Sequence, residues 1–388
     1  GANAGDYFGS KISLSDDGTV LAVSAYYESS NSGVTRIYKW IYGYWAIMNY
    51  YNNNTWYGAI TGQVNTRLGE SLALSPNGLV LVLGAPGYGS STGGASYSFV
   101  SIYEYDQTNN RWEFIHSILS PYYQSTNTYI ADNFGKSISL SYDGNILAVG
   151  IPGYNMGNSN NNDDNNTGRV IVYDISNHNG NIISSEIDGS NSGDNFGHSV
   201  SLSHDGLTLV AGAPYHNSNS GQVKIYRFID MDWNLIGTID GTGTDKIGGS
   251  TTISSDGNVI AFGSIQYGTY VGIYELFNDT WVQRGSNIQR INDTDYFYFG
   301  FSISLSNNGN IISTGSLGNS STWKGSAETY QWNGHNWIKF GEINGINDDD
   351  ESGVVSLSGS GSRIAIGTDS SNNTGYVGVF DLNNFFHL

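Results

Sequence analysis

Tyrosines recur at one place in the sequence, shortly after a short apolar segment, in five successive stretches of the chain. They are Tyr26 and Tyr27, Tyr88, Tyr154, Tyr215 with His216 beside it, and Tyr267. A tyrosine ring stacks on the apolar face of a sugar, and neighbouring Asn, Ser and Asp side chains can hydrogen-bond hydroxyl groups. We therefore predict these positions as ligand-binding, with a glycan as a candidate ligand. The sequence leaves open that each tyrosine only packs against its own repeat or the next one.

Acidic residues form two further candidate sets. One series lies just before a Phe-Gly pair or its looser equivalent: Asp6, Asp132, Asp194, Asp245 and Asp295. Such carboxylates either converge on a cation or accept backbone N–H groups within their own loops. The second set is Asp348, Asp349 and Asp350, which are weak candidates for metal binding because their spacing matches no EF-hand loop. We predict no cofactor and keep calcium as an open alternative.

Sequence patterns typical of catalysis are absent. The seven histidines are scattered, without the close spacing of zinc ligands, and there is no G-x-S-x-G elbow, P-loop or dinucleotide fingerprint. We therefore predict that the protein is not an enzyme. A propeller hydrolase or lyase with paired carboxylates across a channel stays as a second alternative.

The charge balance excludes several classes of partner. The net charge is −19, from 15 basic and 34 acidic residues, and no basic stripe is present. Nucleic acids and anionic membrane surfaces are therefore disfavoured as partners. No apolar run is as long as a membrane span, so we predict no membrane insertion.

Six sequons for N-glycosylation fall mostly where we predict loops. They are Asn53, Asn165, Asn278, Asn292, Asn319 and Asn372. Glycans on exposed loops are typical of proteins that pass through the secretory pathway. The chain starts at Gly1 without a signal peptide, so either a leader was removed or this is a piece of a longer protein.

A repeated unit positions all of these residues. Residues 132–155 and 194–217 show it best: a Phe-Gly pair, an alternating Ser-rich strand, an Asp-Gly turn and an apolar strand. The turn glycines or their equivalents lie 51 to 66 residues apart: Gly18, Gly78, Gly144, Gly206, Gly257, Gly309 and Gly361. A third strand ending in Tyr and a fourth often carrying Trp follow in most repeats.

Seven repeats of four short strands predict an all-β fold, a seven-bladed β-propeller of four-stranded antiparallel blades in a single domain spanning 1–388. The predicted blades are approximately 1–56, 57–120, 121–186, 187–238, 239–288, 289–342 and 343–388. The small serines of the first strand would lie near the axis, where space is least. The last blade would take its outer strand from residues 383–388.

These motifs resemble the FG-GAP repeat of integrin-α-like propellers. Phe-Gly stands at residues 8–9, 134–135, 196–197 and 299–300, and Gly-Ala-Pro stands at 84–86 and 212–214. The resemblance implies adhesion, ligand binding and an extracellular location. Many such repeats carry calcium in a D-x-D-x-D-G-x-x-D loop, whereas this chain has only Ser-x-Asp-Gly, for example at residues 15–18. One carboxylate cannot supply the six to eight oxygens that calcium takes, so we do not transfer that site.

We therefore predict a non-catalytic extracellular or surface protein for binding or adhesion. Its partner would be a protein or a glycan, held on the face that carries the loops after the second strand of each blade. The alternative is a structural subunit of a glycosylated filament, appendage or virion surface, with self-assembly through an open sheet edge.

Overall fold

Seven small antiparallel sheets form a ring, as the repeat predicts. The computed structural model describes residues 1, 3–52, 55–87, 98–122, 132–155, 166–265, 270–290, 296–319, 323–368 and 374–385. The all-β, seven-bladed prediction is confirmed. Helix in the described residues is limited to the four-residue segments Glu28–Asn31, His216–Asn219 and Leu382–Phe385, the last a 3-10 turn. None of these segments approaches the length needed to cross a membrane.

Each blade runs from an inner strand at the axis to an outer strand at the rim. The inner strands are Phe8–Leu14, Ser71–Leu74, Ser137–Leu140, Ser199–Leu202, Ile247–Ile253, Ser302–Leu305 and Ser352–Leu357. The second strands are Val20–Ala25, Val80–Ala85, Ile146–Ile151, Thr208–Ala213, Val259–Ser264, Ile311–Ser316 and Arg363–Thr368. The third strands are Val34–Ile41, Phe99–Asp106, Arg169–Asp174, Gln222–Ile229, Tyr270–Phe277, Ser326–Trp332 and Val377–Asp381.

The outer strands vary more than the repeat suggests. Blades 2, 4 and 6 have one long outer strand each, Arg111–Leu119, Asp232–Asp240 and Trp337–Asn344. In blades 1, 3 and 5 two short pieces pair with the third strand: Tyr44–Ile47 with Ile60–Thr61, Asn181–Ile182 with Ile187–Asp188, and Thr280–Gln283 with Ile288–Gln289. A hairpin of Tyr50–Asn52 and Thr55–Tyr57 extends blade 2, and Tyr296–Phe297 pairs with Gly318–Asn319.

Blade 7 has three strands in the described residues. The outer strand predicted at 383–388 is wrong where the structure describes it, because Leu382–Phe385 forms a 3-10 turn. Leu382 is fully buried in a cluster with Ile364 and Ile366, with Phe340 of blade 6 packed against it. The chain thus turns inward to fill the gap between two blades instead of continuing along the rim.

The Ser-x-Asp-Gly turns form as predicted. Ser141 Oγ donates to Asp143 Oδ1 at 2.7 Å, and the same carboxylate accepts the backbone N–H of Asn145 at 3.0 Å. Gly144 has a φ of +79°, which a residue with a Cβ rarely adopts. The Asp side chain therefore holds its own turn and is not available as a metal ligand.

The serines of the inner strands link neighbouring blades. Ser137 Oγ donates to the carbonyl of Gly197 at 2.7 Å, and Ser139 Oγ accepts the N–H of Leu202 at 2.9 Å. The sequence indicated only that a small residue fits near the axis. The structure adds that the hydroxyls of Ser137 and Ser139 each satisfy a backbone group of the next blade, which would otherwise be buried without a partner.

Backbone hydrogen bonds close the ring on the side of the turns. In each blade a backbone N–H donates to a backbone carbonyl of the next blade, with N···O distances of 2.8 to 3.3 Å. The donor and acceptor residues are Asp16 and Pro76, Asn77 and Tyr142, Tyr142 and His204, His204 and Ser255, Ser255 and Asn307, Asn307 and Gly359, and Gly359 and Asp16. Leu14 N–H also donates to Ser356 Oγ at 3.0 Å. Blade 7 is therefore joined to blade 1 by the contacts that join the other blades.

Candidate functional site

The two faces of the ring differ in their loops. The Ser-x-Asp-Gly turns and the turns between third and outer strands lie on one face, which we call the turn face. The loops after the second strands and the Phe-Gly loops lie on the other, which we call the loop face, since Phe8 pairs with Ala25 and Leu14 with Leu21. The predicted ligand-binding residues that the structure describes, Tyr26, Tyr27, Tyr154, Tyr215 and His216, lie on the loop face. Tyr88 and Tyr267 lie outside the described residues.

In blade 1 the predicted tyrosines form an aromatic cluster. Tyr26 and Tyr27 lie with ring centroids 4.7 Å apart, and both contact Tyr7 at 5.4 and 4.8 Å. The guanidinium of Arg67, from the next blade, lies 4.4 Å from the Tyr27 ring. The rings are half-buried, so this cluster packs blade 1 against blade 2 while one side stays accessible.

In blade 3 the predicted tyrosine is part of a packed network. The ring of Tyr154 lies 3.9 Å from the guanidinium of Arg169 and 4.7 Å from the ring of Tyr122. Arg169 also donates to Asp188 Oδ2 at 2.8 Å and contacts Glu186. These contacts are those expected if the tyrosine only packs against its own repeat or a neighbouring one. Ligand binding by Tyr154 stays a prediction.

In blade 4 the predicted residues line an open cavity of about 840 Å³, which we call the blade 4 cleft. Its walls are the loop of residues 191–195 and the loop of residues 215–219, with Asn166 at one side. Tyr215 is 36% exposed, and Lys246 of blade 5 lies 5.0 Å from its ring. The lining is therefore rich in amide, hydroxyl and carboxylate groups beside one accessible aromatic ring.

His216 is held in a fixed orientation within this cleft. Its Nδ1 lies 2.9 Å from Asp194 Oδ2, and its Nε2 lies 3.3 Å from Gln222 Nε2. Because Gln222 Nε2 also donates to Asp240 at 2.7 Å, the hydrogen bonds fit a ring that donates from Nδ1 and accepts at Nε2. The buried Asp194 carboxylate thus orients the imidazole, as it also orients its own loop by accepting the N–H of Asn191 at 2.9 Å.

The cleft wall contains an unusual backbone conformation. Asn217, Ser218 and Asn219 have φ values of 47°, 59° and 75°, a left-handed turn of three successive residues with side chains. Such a turn costs roughly 1–2 kcal/mol per residue, less for Asn, and stored strain clusters at functional sites. Blade 1 repeats the turn at residues 29–31. The carbonyl of Asn219 accepts the N–H of Lys246 at 2.9 Å, so the turn also joins two blades.

The Asp series before Phe-Gly caps its own loops in the described blades. Asp6 accepts the N–H of Asn3 at 2.8 Å, and Asp132 accepts that of Phe134 at 3.0 Å. Asp245 contacts the N–H of Thr242 at 3.4 Å. Asp295 lies outside the described residues. The interpretation as backbone acceptors is supported, because these carboxylates are occupied within separate loops.

Two of the predicted weak metal candidates, Asp348 and Asp350, have partners within the protein. Asp350 is buried and accepts the N–H groups of Ile346 and Asn347 at 3.1 and 2.7 Å, while Asp348 lies 3.3 Å from Lys324 Nζ. In the part of the chain that the structure describes, no three His, Asp or Glu side chains are grouped to hold a metal ion. The donor set around Asp348, Asp349 and Asp350 therefore does not fit calcium, which takes six to eight oxygens.

Two of the predicted sequons fall in described backbone. Asn278 lies in the exposed turn between the strands Tyr270–Phe277 and Thr280–Gln283, and Asn319 ends the short strand Gly318–Asn319. Asn53, Asn165, Asn292 and Asn372 lie outside the described residues. The position of Asn278 is compatible with a glycan, and its use stays a prediction.

The axial channel holds residues that the sequence interpretation did not combine. Its loop-face end is a cavity of about 280 Å³ lined by Lys11, Lys136 and His198 among the first residues of the inner strands. Their shared position in the repeat could have pointed to them. Lys136 and His198 directly follow Phe-Gly, and Glu70 directly follows the Leu-Gly pair of the second repeat. Only the ring places these side chains, from different repeats, around one space.

The turn-face end of the channel carries a separate polar cluster. Asn307 Nδ2 donates to Asp16 Oδ2 at 2.6 Å, His204 Nε2 lies 3.6 Å from the same oxygen, and the rings of His204 and Tyr142 are 5.3 Å apart. Burial raises the pKa of the Asp16 carboxyl, although the Asn307 hydrogen bond and the His204 charge oppose this. The same residues take part in the closing ring of backbone hydrogen bonds.

Comparison with known proteins supports the fold. Residues 187–226 match the family model of the FG-GAP repeat, which here covers the Phe-Gly loop and the first three strands of blade 4. Together with the seven-bladed ring, this match confirms the resemblance to FG-GAP propellers. No protein with a curated description matches the chain.

A solved structure with the same architecture is named as a 6-phosphogluconolactonase, from Bacteroides uniformis ATCC 8492. It aligns over 88% of this chain and 86% of its own length, with a TM-score of 0.56 and 12% sequence identity. A likeness at this identity shows the propeller fold alone.

Proposed function

We propose that this protein is a non-catalytic surface or extracellular binding protein that holds a glycan in the blade 4 cleft. The observation that carries the proposal is the convergence of Tyr215, His216, Asn191 and Asp194 around one open cavity of about 840 Å³. Tyr215 and His216 come from the loop after the second strand, and the other two come from the Phe-Gly loop. A polar cavity at the junction of two loops on a rigid scaffold is a common place for ligand binding.

The chemistry of the cleft suits sugar hydroxyl groups. Asn191, Asn195, Asn217 and Asn219 offer amide donors and acceptors, and Ser192 and Ser218 offer hydroxyls. The exposed face of Tyr215 can stack on the apolar side of a sugar ring. Both nitrogens of the His216 ring are bonded within the protein, so this side chain gives the cleft a wall of fixed shape. The strained turn at residues 217–219 supports the proposal, because such strain is typical of functional loops.

The extracellular location and the alternative role as a structural subunit rest on the family resemblance and on single features of the fold. FG-GAP repeats are typical of extracellular proteins, and the sequon at Asn278 lies in an exposed turn. A structural subunit is favoured by one observation: the described residues place no strand beside the outer edge of Val377–Asp381 in blade 7. An open edge can pair with another chain.

The test is a substitution at Tyr215 with a matched control on the turn face. Tyr215→Ala removes the stacking ring, and we expect about a tenfold or larger loss of affinity for the glycans that bind the native protein on an array. Tyr44→Ala removes a tyrosine that is 58% exposed on the opposite face, and we expect unchanged binding. Both variants should melt within about 2 °C of the native protein, because neither ring is buried.

The outcomes separate the candidate roles. Equal glycan binding by Tyr215→Ala and the native protein contradicts the proposed site. No glycan binding together with polymers seen by size exclusion and electron microscopy favours the structural subunit.

A further inference from the structure

The loop-face end of the axial channel carries positive charge in a strongly acidic protein. Lys11 and Lys136 line the cavity of about 280 Å³, whereas its described lining contains no carboxylate. Glu70 contacts this group from the side, with Oε1 2.8 Å from Lys136 Nζ. The chain as a whole has 34 acidic and 15 basic residues, so two lysines in the lining of one small cavity run against its composition.

Lys11 occupies the inner-strand position that, in most other blades, holds a serine bonded to the next blade. In blades 2 to 5 the equivalent residue is the serine that donates to the next blade's Phe-Gly carbonyl, as Ser137 does to Gly197 at 2.7 Å. In blade 1 this bond comes instead from Ser24 on the second strand, which donates to Gly69 at 2.6 Å. The inter-blade contact is thus kept while a lysine is placed in the channel.

His198 adds a polar atom that lacks a partner. Among the described residues, its Nδ1 is buried without a hydrogen bond, and so is Thr251 Oγ1 in the same lining. Burial lowers the pKa of His198 to about 4, with the charges of Lys136 and Lys11 acting in the same direction and a backbone hydrogen bond with Gly249 opposing them. Buried polar atoms almost always have a hydrogen-bond partner, so these two atoms are available to a water molecule or a ligand.

We infer that this end of the channel binds a small oxyanion, a carboxylate or phosphate group, between Lys11, Lys136 and His198. An oxyanion accepts hydrogen bonds from both ammonium groups and from the Thr251 hydroxyl. Burial is the main reason that His198 is neutral, and the charges of Lys136 and Lys11 add to it. A bound anion opposes both effects, so the bound state favours a protonated imidazole that donates to the anion. The cavity volume limits the occupant to a small molecule or a single substituent of a larger one.

Access to the site is from the loop face. The opposite end carries the backbone ring and the polar cluster of Asp16, His204 and Asn307. The site is separate from the blade 4 cleft, because no residue lines both cavities. Binding in the channel and glycan binding in the cleft can therefore be tested independently.

The first test is isothermal titration calorimetry of the full chain with inorganic phosphate and, separately, with acetate at low ionic strength. We expect Lys11→Met to weaken binding about tenfold, the loss of one charge-assisted hydrogen bond. Glu70→Gln should tighten binding, because it removes the carboxylate that competes for Lys136. The matched control is Lys324→Met, which removes an exposed loop-face lysine paired with Asp348 and should leave affinity unchanged.

The second test follows His198 directly by NMR of its imidazole, assigned with a His198→Gln variant. We expect its titration midpoint to lie near 4 without anion and to rise when phosphate is added. If Lys11→Met fails to fold, Glu70→Gln and the His198 titration still decide the question. Absence of binding heat and of any midpoint shift, or equal weakening by Lys11→Met and Lys324→Met, overturns the inference. Binding of phosphate without acetate identifies a phosphate group as the ligand, and equal binding identifies a general oxyanion site.

Discussion

Glu328 illustrates how the ionisation of one side chain depends on its immediate contacts. Burial alone would raise the pKa of this carboxyl, but the hydrogen bond from Tyr330 and the charges of Arg290 and Lys339 outweigh it and lower the pKa below its usual value. Arg290 Nε lies 2.7 Å from Glu328 Oε1, and Lys339 Nζ lies 3.0 Å from it. Glu328 is 2% exposed and is the buried partner of both cations, which also contact the more exposed Glu342.

This environment predicts a pH dependence of stability. A carboxyl with a lowered folded-state pKa stabilises the fold above the ordinary glutamate value of about 4.3, and the contribution is lost as pH falls through the lower folded value. Glu328→Gln should cost about 3 kcal/mol at neutral pH, because Arg290 and Lys339 lose their buried partner. It should also flatten the stability profile in the acid range. Denaturant unfolding at several pH values measures both effects.

The control for Glu328→Gln is Glu113→Gln, which removes a half-buried carboxylate paired with Arg111 near the blade 2 rim. That change should cost less than about 1 kcal/mol, because solvent screens the pair. A profile for Glu328→Gln that loses stability toward acid as steeply as the native profile would contradict the argument.

Within the blades, a repeated glycine sets how closely two sheets approach. A Cβ on Gly150 would lie 2.1 Å from the carbonyl of Gly197 and 2.2 Å from Ser137 Oγ. The same conflict with the next blade's carbonyl recurs at Gly212, Gly263 and Gly367. The second strand therefore needs a residue without a side chain wherever the first strand supplies the bonding serine. Blade 1 has Ser24 there, because its first strand carries Lys11 instead.

This contact predicts that Gly150→Ala destabilises the fold more than loss of the hydrogen bond does. We expect about 2–3 kcal/mol for Gly150→Ala, since the blades must separate, and about 1 kcal/mol for Ser137→Ala. Gly58→Ala is the matched control, because a Cβ there meets only Ile47 Cδ1 at 3.5 Å. Denaturant unfolding gives the three free energies. Equal costs for Gly150→Ala and Gly58→Ala would show that the blades adjust freely.

Across the ring, the junction of blades 7 and 1 differs from the others in connectivity. Neighbouring blades elsewhere follow each other along the chain, whereas this junction depends on non-covalent contacts. Leu14 N–H donates to Ser356 Oγ at 3.0 Å, Gly359 N–H donates to Asp16 O at 2.9 Å, and Thr368 Oγ1 donates to Phe8 O at 3.2 Å. Blade 7 also has the fewest strands in the described residues.

Removing a hydrogen bond between blades 7 and 1 should therefore increase the opening of blade 7 more than that of the other blades. Ser356→Ala should cost about 1 kcal/mol and should increase hydrogen exchange in the strand Val377–Asp381. Ser139→Ala removes the equivalent bond between blades 3 and 4, to Leu202 at 2.9 Å. It should cost a similar amount without changing exchange in blade 7. Hydrogen exchange followed by mass spectrometry distinguishes the two, and identical exchange maps would contradict a weaker closure.

The number of blades and the positions of their turns could be predicted from the sequence. Alternation in the inner strands, turns at Asp-Gly and apolar second strands are local patterns, and each repeat shows them independently. Part of the candidate site was predictable for the same reason: Tyr215 and His216 follow a recognisable strand. Their partners Asn191 and Asp194 stand more than 20 residues earlier, and the hairpin of Ser199–Leu202 and Thr208–Ala213 returns the chain to the same cleft.

Two histidines show why the grouping of side chains along the channel could not be predicted from the sequence. His198 and His204 are six residues apart, yet they flank the inner strand Ser199–Leu202 and lie at opposite ends of the channel. Lys11, Lys136 and His198 come from three separate blades and face one cavity. Strand and turn formation depend on neighbours along the chain, so they are encoded locally. The grouping of side chains around the axis depends on how seven blades pack, and that arrangement exists only once the ring has closed.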